Sequence, residues 1–181
     1  GLIVPGAGDS NYAGQSALVR FKQGPTFLNE ETMAQHLYLR EGDRRRAGGS
    51  RSSALAAALE ALEESARYDK QRRAFNTNRN RSFDLDESDL VALSAVRRGE
   101  MPLVVQVDRA ADIIKVVTAF GAYPRLRLIL AGATEAWKVA PLLNVENIPV
   151  LINVMENLPQ NFDRLGARLD QATLLADAGV R

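Results

Sequence analysis

Apolar and polar positions change rhythm along this chain. Leu2-Ile3-Val4 is a short apolar run of the kind that ends a strand, and residues 5–14 (PGAGDSNYAG) form a glycine-rich loop. Residues 17–22 (ALVRFK) alternate apolar and polar, the two-residue period of a strand, and Gly24-Pro25 closes it. Glu30 to Leu39 reads as a short helix with Asn29 as its N-cap. Residues 40–52 (REGDRRRAGGSRS) are rich in glycine and arginine and read as a loop. From Ser53 to about Phe75 the period becomes helical. Leu55, Leu59 and Leu62 fall on one face among alanines and charges, and the polar stretch 76–82 stops the helix. Glu87 to Arg98 is a second helix, stopped by Gly99.

The last third has a regular beat. Apolar runs start at Leu103, Leu126 and Val150, ending at Val107, Leu130 and Val154. Helical patterns lie between and after them, at Ala110 to Phe120, Thr134 to Leu143 and Asp170 to Ala178. Near-continuous apolar strands alternating with helices are the mark of buried parallel strands in βαβ units. The three strands are therefore expected side by side in one sheet. The class is α/β, and both a doubly wound sheet and part of a (β/α)8 barrel fit the pattern. The expected organisation is one domain over 1–181, with a loop and helical insertion at 39–100 and regular βα repeats at 101–181.

Composition narrows the chemistry. The chain has 181 residues, 46% of them hydrophobic, which suffices for one domain with a core. Lys+Arg is 23 and Asp+Glu 22, a net charge of +1 that gives no push toward nucleic acid or anionic membrane. No apolar run is long enough to span a membrane. There is no cysteine, so disulfides, thiol nucleophiles and Cys-ligated zinc are excluded. His36 is the one histidine, which excludes a multi-histidine centre made by this chain alone. Set in a segment that reads as helical, without carboxylates at ligand spacing, it reads as structural.

Several motifs resolve into their plainer meanings. Gly6-Ala7-Gly8 lacks the third glycine of a dinucleotide fingerprint, since position 11 is Asn, and no Gly-Lys-Ser/Thr phosphate loop is present. Arg40, Arg44, Arg45, Arg46 and Arg51 form one basic patch, and Arg72, Arg73, Arg79 and Arg81 another. Interspersed acids make these solvated or partner-contact surface, with anion binding as the alternative. Polar residues gather where the three strands end: Gln106, Asp108 and Arg109, then Thr134 and Glu135, then Asn153, Glu156 and Asn157. Ligands bind at that edge of parallel α/β sheets. The plainer alternative is that Asp108, Thr134 and Asp170 cap helices.

A family resemblance rests on separated segments in order. They are residues 102–114 (PLVVQVDRAADII), 128–140 (LILAGATEAWKVA) and 148–152 (IPVLI). Residues 5–15 (PGAGDSNYAGQ), Gly49-Ser50-Arg51, Ala66-Arg67-Tyr68, residues 157–159 (NLP), residues 162–170 (FDRLGARLD) and Leu174 to Val180 continue it. Together they cover nearly the whole chain. The sequence resembles the metal-dependent amidohydrolase superfamily, and within it the imidazolonepropionase-like group of bacterial proteins.

That resemblance implies a middle piece of a (β/α)8 barrel from a protein that hydrolyses non-peptide C–N bonds, its substrate a small amide or cyclic amide. Such proteins bind one or two divalent metals, zinc-like in chemistry. The ligands are a His-x-His pair on the first strand, histidines on two middle strands and an Asp on the last. Bound metal generates the hydroxide nucleophile and polarises the carbonyl. Here the two middle-strand positions fall on Gln106 and Gly132. A carboxamide is a poor substitute for imidazole at zinc, and glycine offers no ligand.

The expectation is thus a chain that lacks the metal ligands and is inactive alone, with a divalent metal possible only in a longer parent. The alternative is a non-catalytic relative that binds a small molecule or peptide. Candidate pocket residues are Gln106, Asp108, Arg109, Glu135 and Asn153. A barrel of this kind needs at least about 250 residues, so 181 reads as a truncation. Uncovered sheet edges predict a homo-oligomer. By resemblance the compartment is periplasmic or secreted, otherwise cytoplasmic.

Overall fold

Leu103 to Val107 (β4) lies at the heart of the sheet, flanked on both sides. Four of its five residues are buried, which explains its unbroken apolar sequence. The computed structural model describes residues 2–4, 12–20, 27–46, 49–76, 83–156 and 158–181. The Gly6-Ala7-Gly8 loop, Gly24-Pro25, residues 77–82 with Arg79 and Arg81, and Asn157 lie outside the described residues, as do the side chains of Arg44 to Arg46, Arg72, Arg73 and Glu156.

Six strands stand in chain order in one sheet: β1 (Leu2–Val4), β2 (Tyr12–Arg20), β3 (Phe27–Tyr38), β4, β5 (Leu128–Gly132) and β6 (Val150–Leu151). The pairs β1–β2 and β2–β3 are antiparallel, with irregular register around Ser16 to Leu18. From β3 onward the pairing is parallel, so Tyr38, Gln106, Ala131 and Leu151 form one row across four strands. The three apolar runs of the last third do lie side by side.

Helices α1 (Arg51–Asn76) and α2 (Glu87–Arg97) connect β3 to β4, α3 (Ala110–Phe120) connects β4 to β5, α4 (Ala140–Val145) precedes β6, and α5 (Gln171–Asp177) follows it. All five contribute to one core cluster with Leu37, Leu103, Val105, Val107 and Leu130 of the sheet. The opposite face carries a separate small cluster of Ala34, Val104 and Ala131, with Ile129 packed on it. Chain-order strands with the helical core on one face are compatible with part of a TIM-type barrel. A doubly wound sheet places helices on both faces.

Several expectations need correction. Residues 30–39 are not a helix but the greater part of β3. Flanked by β2 and β4, this strand buries both faces: Gln35, Leu37 and then Leu39 on one, Ala34 and His36 on the other. Pairing on two sides overrides the helix propensity of Glu, Met, Ala and Gln. Residues 41–46 of the expected loop form a 3-10 helix. In α1 the buried residues are Ala54, Ala58, Ala61, Leu62, Glu64, Ser65 and Tyr68, while Leu55 and Leu59 are half-buried beside them. Small alanines let the helix lie close to the sheet.

β5 starts two residues later than the apolar run, because Leu126 closes a turn onto the Tyr123 carbonyl (2.9 Å). The helix expected from Thr134 splits into a 3-10 turn, Ala136–Val139, and α4. Pro141 sets the break: it lacks the N–H an uninterrupted helix needs and suits a first turn. β6 stops at Leu151 because the Asn153 side chain turns the chain, its Oδ1 accepting from Met155 N (3.1 Å).

Candidate functional site

The parallel strands deliver their carboxyl ends to one edge of the sheet, and a network of charges forms there. Asp108, the first residue past β4, is 3% exposed. Its Oδ1 accepts from Thr134 Oγ1 (2.8 Å), just past β5. Its Oδ2 faces Arg40 Nε at 3.0 Å, past the end of β3, and Arg164 Nε at 3.6 Å. Three strand ends and the 161–164 segment thus meet on one carboxylate. Beside it, Asp163 accepts from Arg51 at the start of α1 and from Glu41 N (2.7 Å). Arg51 also reaches Asp112 of α3 and Glu41, each at 3.2 Å. Charges this poorly exposed persist only when paired.

Gly132 closes β5 with φ of 76°, a conformation that favours glycine. Space matters as much as backbone here. A Cβ on residue 132 would collide with Arg40 Nη2 and stand 2.8 Å from Asp108 Oδ1. Ala133 follows with φ of 44°, and its carbonyl is held by Nε2 of the buried Gln171 at 2.7 Å.

Glu135 does different work. Its Oε2 accepts from Ala110 N at 3.0 Å, capping α3 from the neighbouring loop, and its Oε1 takes Lys138 Nζ at 2.7 Å. Burial pushes this carboxyl up, but Lys138 and the N–H groups of Ala110 and Gly166 outweigh it and hold the group below the usual carboxylate range. Trp137 donates to the Gly166 carbonyl (2.9 Å), with the Arg168 guanidinium 4.8 Å from its ring centre.

The candidate residues therefore separate. Asp108 and Glu135 come together through the backbone, Glu135 N donating to the Asp108 carbonyl at 2.9 Å, but their carboxylates turn to different partners. They do not form a ligand pair. Nor does Asp108 cap α3, whose N-cap position is Arg109, and Thr134 serves Asp108. Asp170 holds the N-cap position of α5 but spends its carboxylate on Arg168. Arg109 lines a separate cavity of about 370 Å³ with Arg51, Asp112 and Lys115. Gln106 is half-buried in the row between Tyr38 and Ala131. Asn153 is exposed and makes only the local turn named above among the contacts described.

Sequence reasoning missed Asp163, Arg164 and Gln171 as site residues. Arg40 and Arg51 were visible only as members of a basic patch. His36 is corrected from a helix to β3, where it is 5% exposed and burial pushes its imidazole below the usual value.

No known family profile matches the chain, and no curated protein does. Among solved structures, it superposes on the crystal structure of an amidohydrolase from Thermotoga maritima MSB8 with a TM-score of 0.77. Sequence identity is 16%, and the match covers 94% of this chain and 46% of that one. The fold is amidohydrolase-like at a coarse level. The chain spans about half the length of the structure it matches.

The metal implied by the family resemblance finds no fitting set of ligands here. Gln106 and Gly132 bring no side chain of imidazole type to this edge, and the room beyond Gly132 holds a guanidinium. Among the described residues no group of three or more His, Cys, Asp or Glu side chains is gathered to hold a metal ion.

Proposed function

We propose that this chain is part of an amidohydrolase-type hydrolase, a protein built on a (β/α)8 barrel and acting on C–N bonds other than peptide bonds. The observation that carries this reading is the superposition over 94% of the chain on a protein described as an amidohydrolase. The chain-order sheet, parallel from β3 onward and with its helical core on one face, supports it. The motif segments favour the imidazolonepropionase-like group, and so a small amide or cyclic amide as substrate of the whole protein. Localisation in the periplasm or outside the cell goes with that group. This chain supplies the strand ends of β3 to β5 and is catalytically silent alone.

The test reads the coding sequence on either side of the chain and assays the resulting whole protein. A His-x-His strand before it, an Asp-ending strand after it and hydrolysis of an acyl-amide or cyclic amide panel are expected. Absence of both motifs together with no turnover would sink the hydrolase.

One observation favours a second reading, a binding relative without hydrolysis: the strand-end carboxylate Asp108 is spent on arginines rather than left for chemistry. Intact flanking motifs with turnover would exclude it. In either case we propose self-association, because Leu151 of the edge strand and Val154, Met155, Phe162, Leu165 and Leu169 beyond it are exposed. Light scattering should show a dimer or larger species, and a strict monomer at high concentration would refute it.

A further inference from the structure

We infer that Arg40 is the resident cation of the strand-end site, and that Gly132 is the notch that admits it. Three observations converge. Asp108 is nearly fully buried, and Arg40 Nε lies 3.0 Å from its Oδ2. The other end of the same guanidinium, Nη2, occupies the room a side chain at residue 132 would need. Thr134 Oγ1, at 2.8 Å, fixes the second oxygen of Asp108, so the carboxylate cannot follow Arg40 if the arginine is displaced.

Any side chain at the end of β5 would therefore have to evict Arg40 from Asp108. Conversely, the guanidinium stands where a β5 side chain would have to project to hold a divalent ion. A fixed positive charge beside the notch also repels such an ion electrostatically. Asp108 is the buried carboxylate nearest the notch, and it faces two guanidiniums, Arg40 and Arg164. The strand ends of this chain are thus organised by guanidinium and carboxylate, and they take up no zinc-like ion through Asp108. This inference rests on the local geometry and not on the hydrolase reading. A whole protein that hydrolyses amides using ligands from elsewhere would leave it intact.

A thermal double-mutant cycle tests it. Gly132→Ala carries three costs, the positive φ, the eviction of Arg40 and a contact of 2.8 Å with Asp108 Oδ1. Gly49→Ala measures the first cost alone, because Gly49 has φ of 81° and nothing within 4 Å of a built Cβ. A shift of about 2–4 °C in Tm is expected for Gly49→Ala, from a backbone cost near 1 kcal/mol. Gly132→Ala should lower Tm by at least about twice that. In the Arg40→Ala background the added cost of Gly132→Ala should shrink but stay above the Gly49 value, because the contact with Asp108 Oδ1 remains.

The second arm measures zinc content after dialysis against zinc, in wild type and in Asp108→Asn. The two are expected to be equal. Strict additivity of Arg40→Ala and Gly132→Ala would overturn the notch. Stoichiometric zinc in wild type that Asp108→Asn loses would overturn the assignment of Arg40 as the site's cation.

Discussion

At the amino ends of β4, β5 and β6, Pro102, Pro124, Pro149, Phe120 and Tyr123 border a cavity of about 560 Å³. At the carboxyl ends of β3, β4 and β5, Arg40, Asp108, Thr134 and Arg164 meet, with Asp108 nearly sealed from water. The larger void and the denser chemistry are therefore at opposite ends of the same strands. The void is lined mainly by prolines and apolar groups, with Arg127, Glu146 and Asn147 as its polar members. In parallel α/β folds the carboxyl ends carry function. Here the paired charges converge at the carboxyl ends, where the candidate residues lie, and the cavity of about 560 Å³ lies at the other end.

The sharpest way to break that contrast is to remove the carboxylate. Asp108→Ala leaves Arg40 and Arg164 facing each other with their shared counter-ion gone, and strips Thr134 of its acceptor. Removing one partner of a buried charge cluster costs about 3–5 kcal/mol. Urea denaturation should show a loss in that range. A loss below about 1 kcal/mol, the usual scale of an exposed pair, would mean that water already screens the cluster and that the two ends are alike.

The parallel strands were legible in the sequence because burial on both faces leaves a simple trace. β4 reads LVVQV and β5 LILAG, and each is found within two residues of its expected place. β3 was not legible. Its stretch AQHLYL mixes His, Gln and Tyr with apolar residues, and its strand character comes from pairing with β2 just before it and with β4 far along the chain. The site divides in the same way. Asp108 and Glu135 stood out because they follow strands, a local cue. Arg164 and Gln171 reach the site by tertiary folding of residues 161–171, and nothing near them in sequence announces a buried partner. The role of Gly132 lay in the room around it, which only the packed structure discloses.

His36 lies between the two ends, on the face of β3 away from the helical core. Among the described residues neither ring nitrogen has a hydrogen-bond partner, and burial lowers its pKa from the ordinary 6.5. The folded protein then takes up this proton at a lower pH than the unfolded chain does. Below about pH 6.5 the unfolded state binds more protons, so stability falls as pH drops through that value toward the folded pKa. Above it, His36 contributes no pH dependence. His36→Leu should remove this acid-side slope and leave the curve above pH 6.5 unchanged in shape. An identical slope in wild type and variant would place the imidazole in contact with water.

The smallest expected effect lies at the amino end, and its smallness is what makes it informative. Ile129 is half-buried and lines the 560 Å³ cavity. Ile129→Phe replaces a branched chain with a longer, somewhat larger ring where the structure leaves room, so the strain of about 1–3 kcal/mol typical of overpacking should not appear. A change within about 1 kcal/mol of zero is expected, with a slight gain if the ring covers apolar surface. Gly132→Ala adds a single carbon at the other end of the same strand and must displace a guanidinium to do so. If the phenylalanine costs more than the alanine, the void is not open room, and the contrast between the two ends fails. If the order holds, tolerance to added volume follows what already fills the space beyond each position on β5.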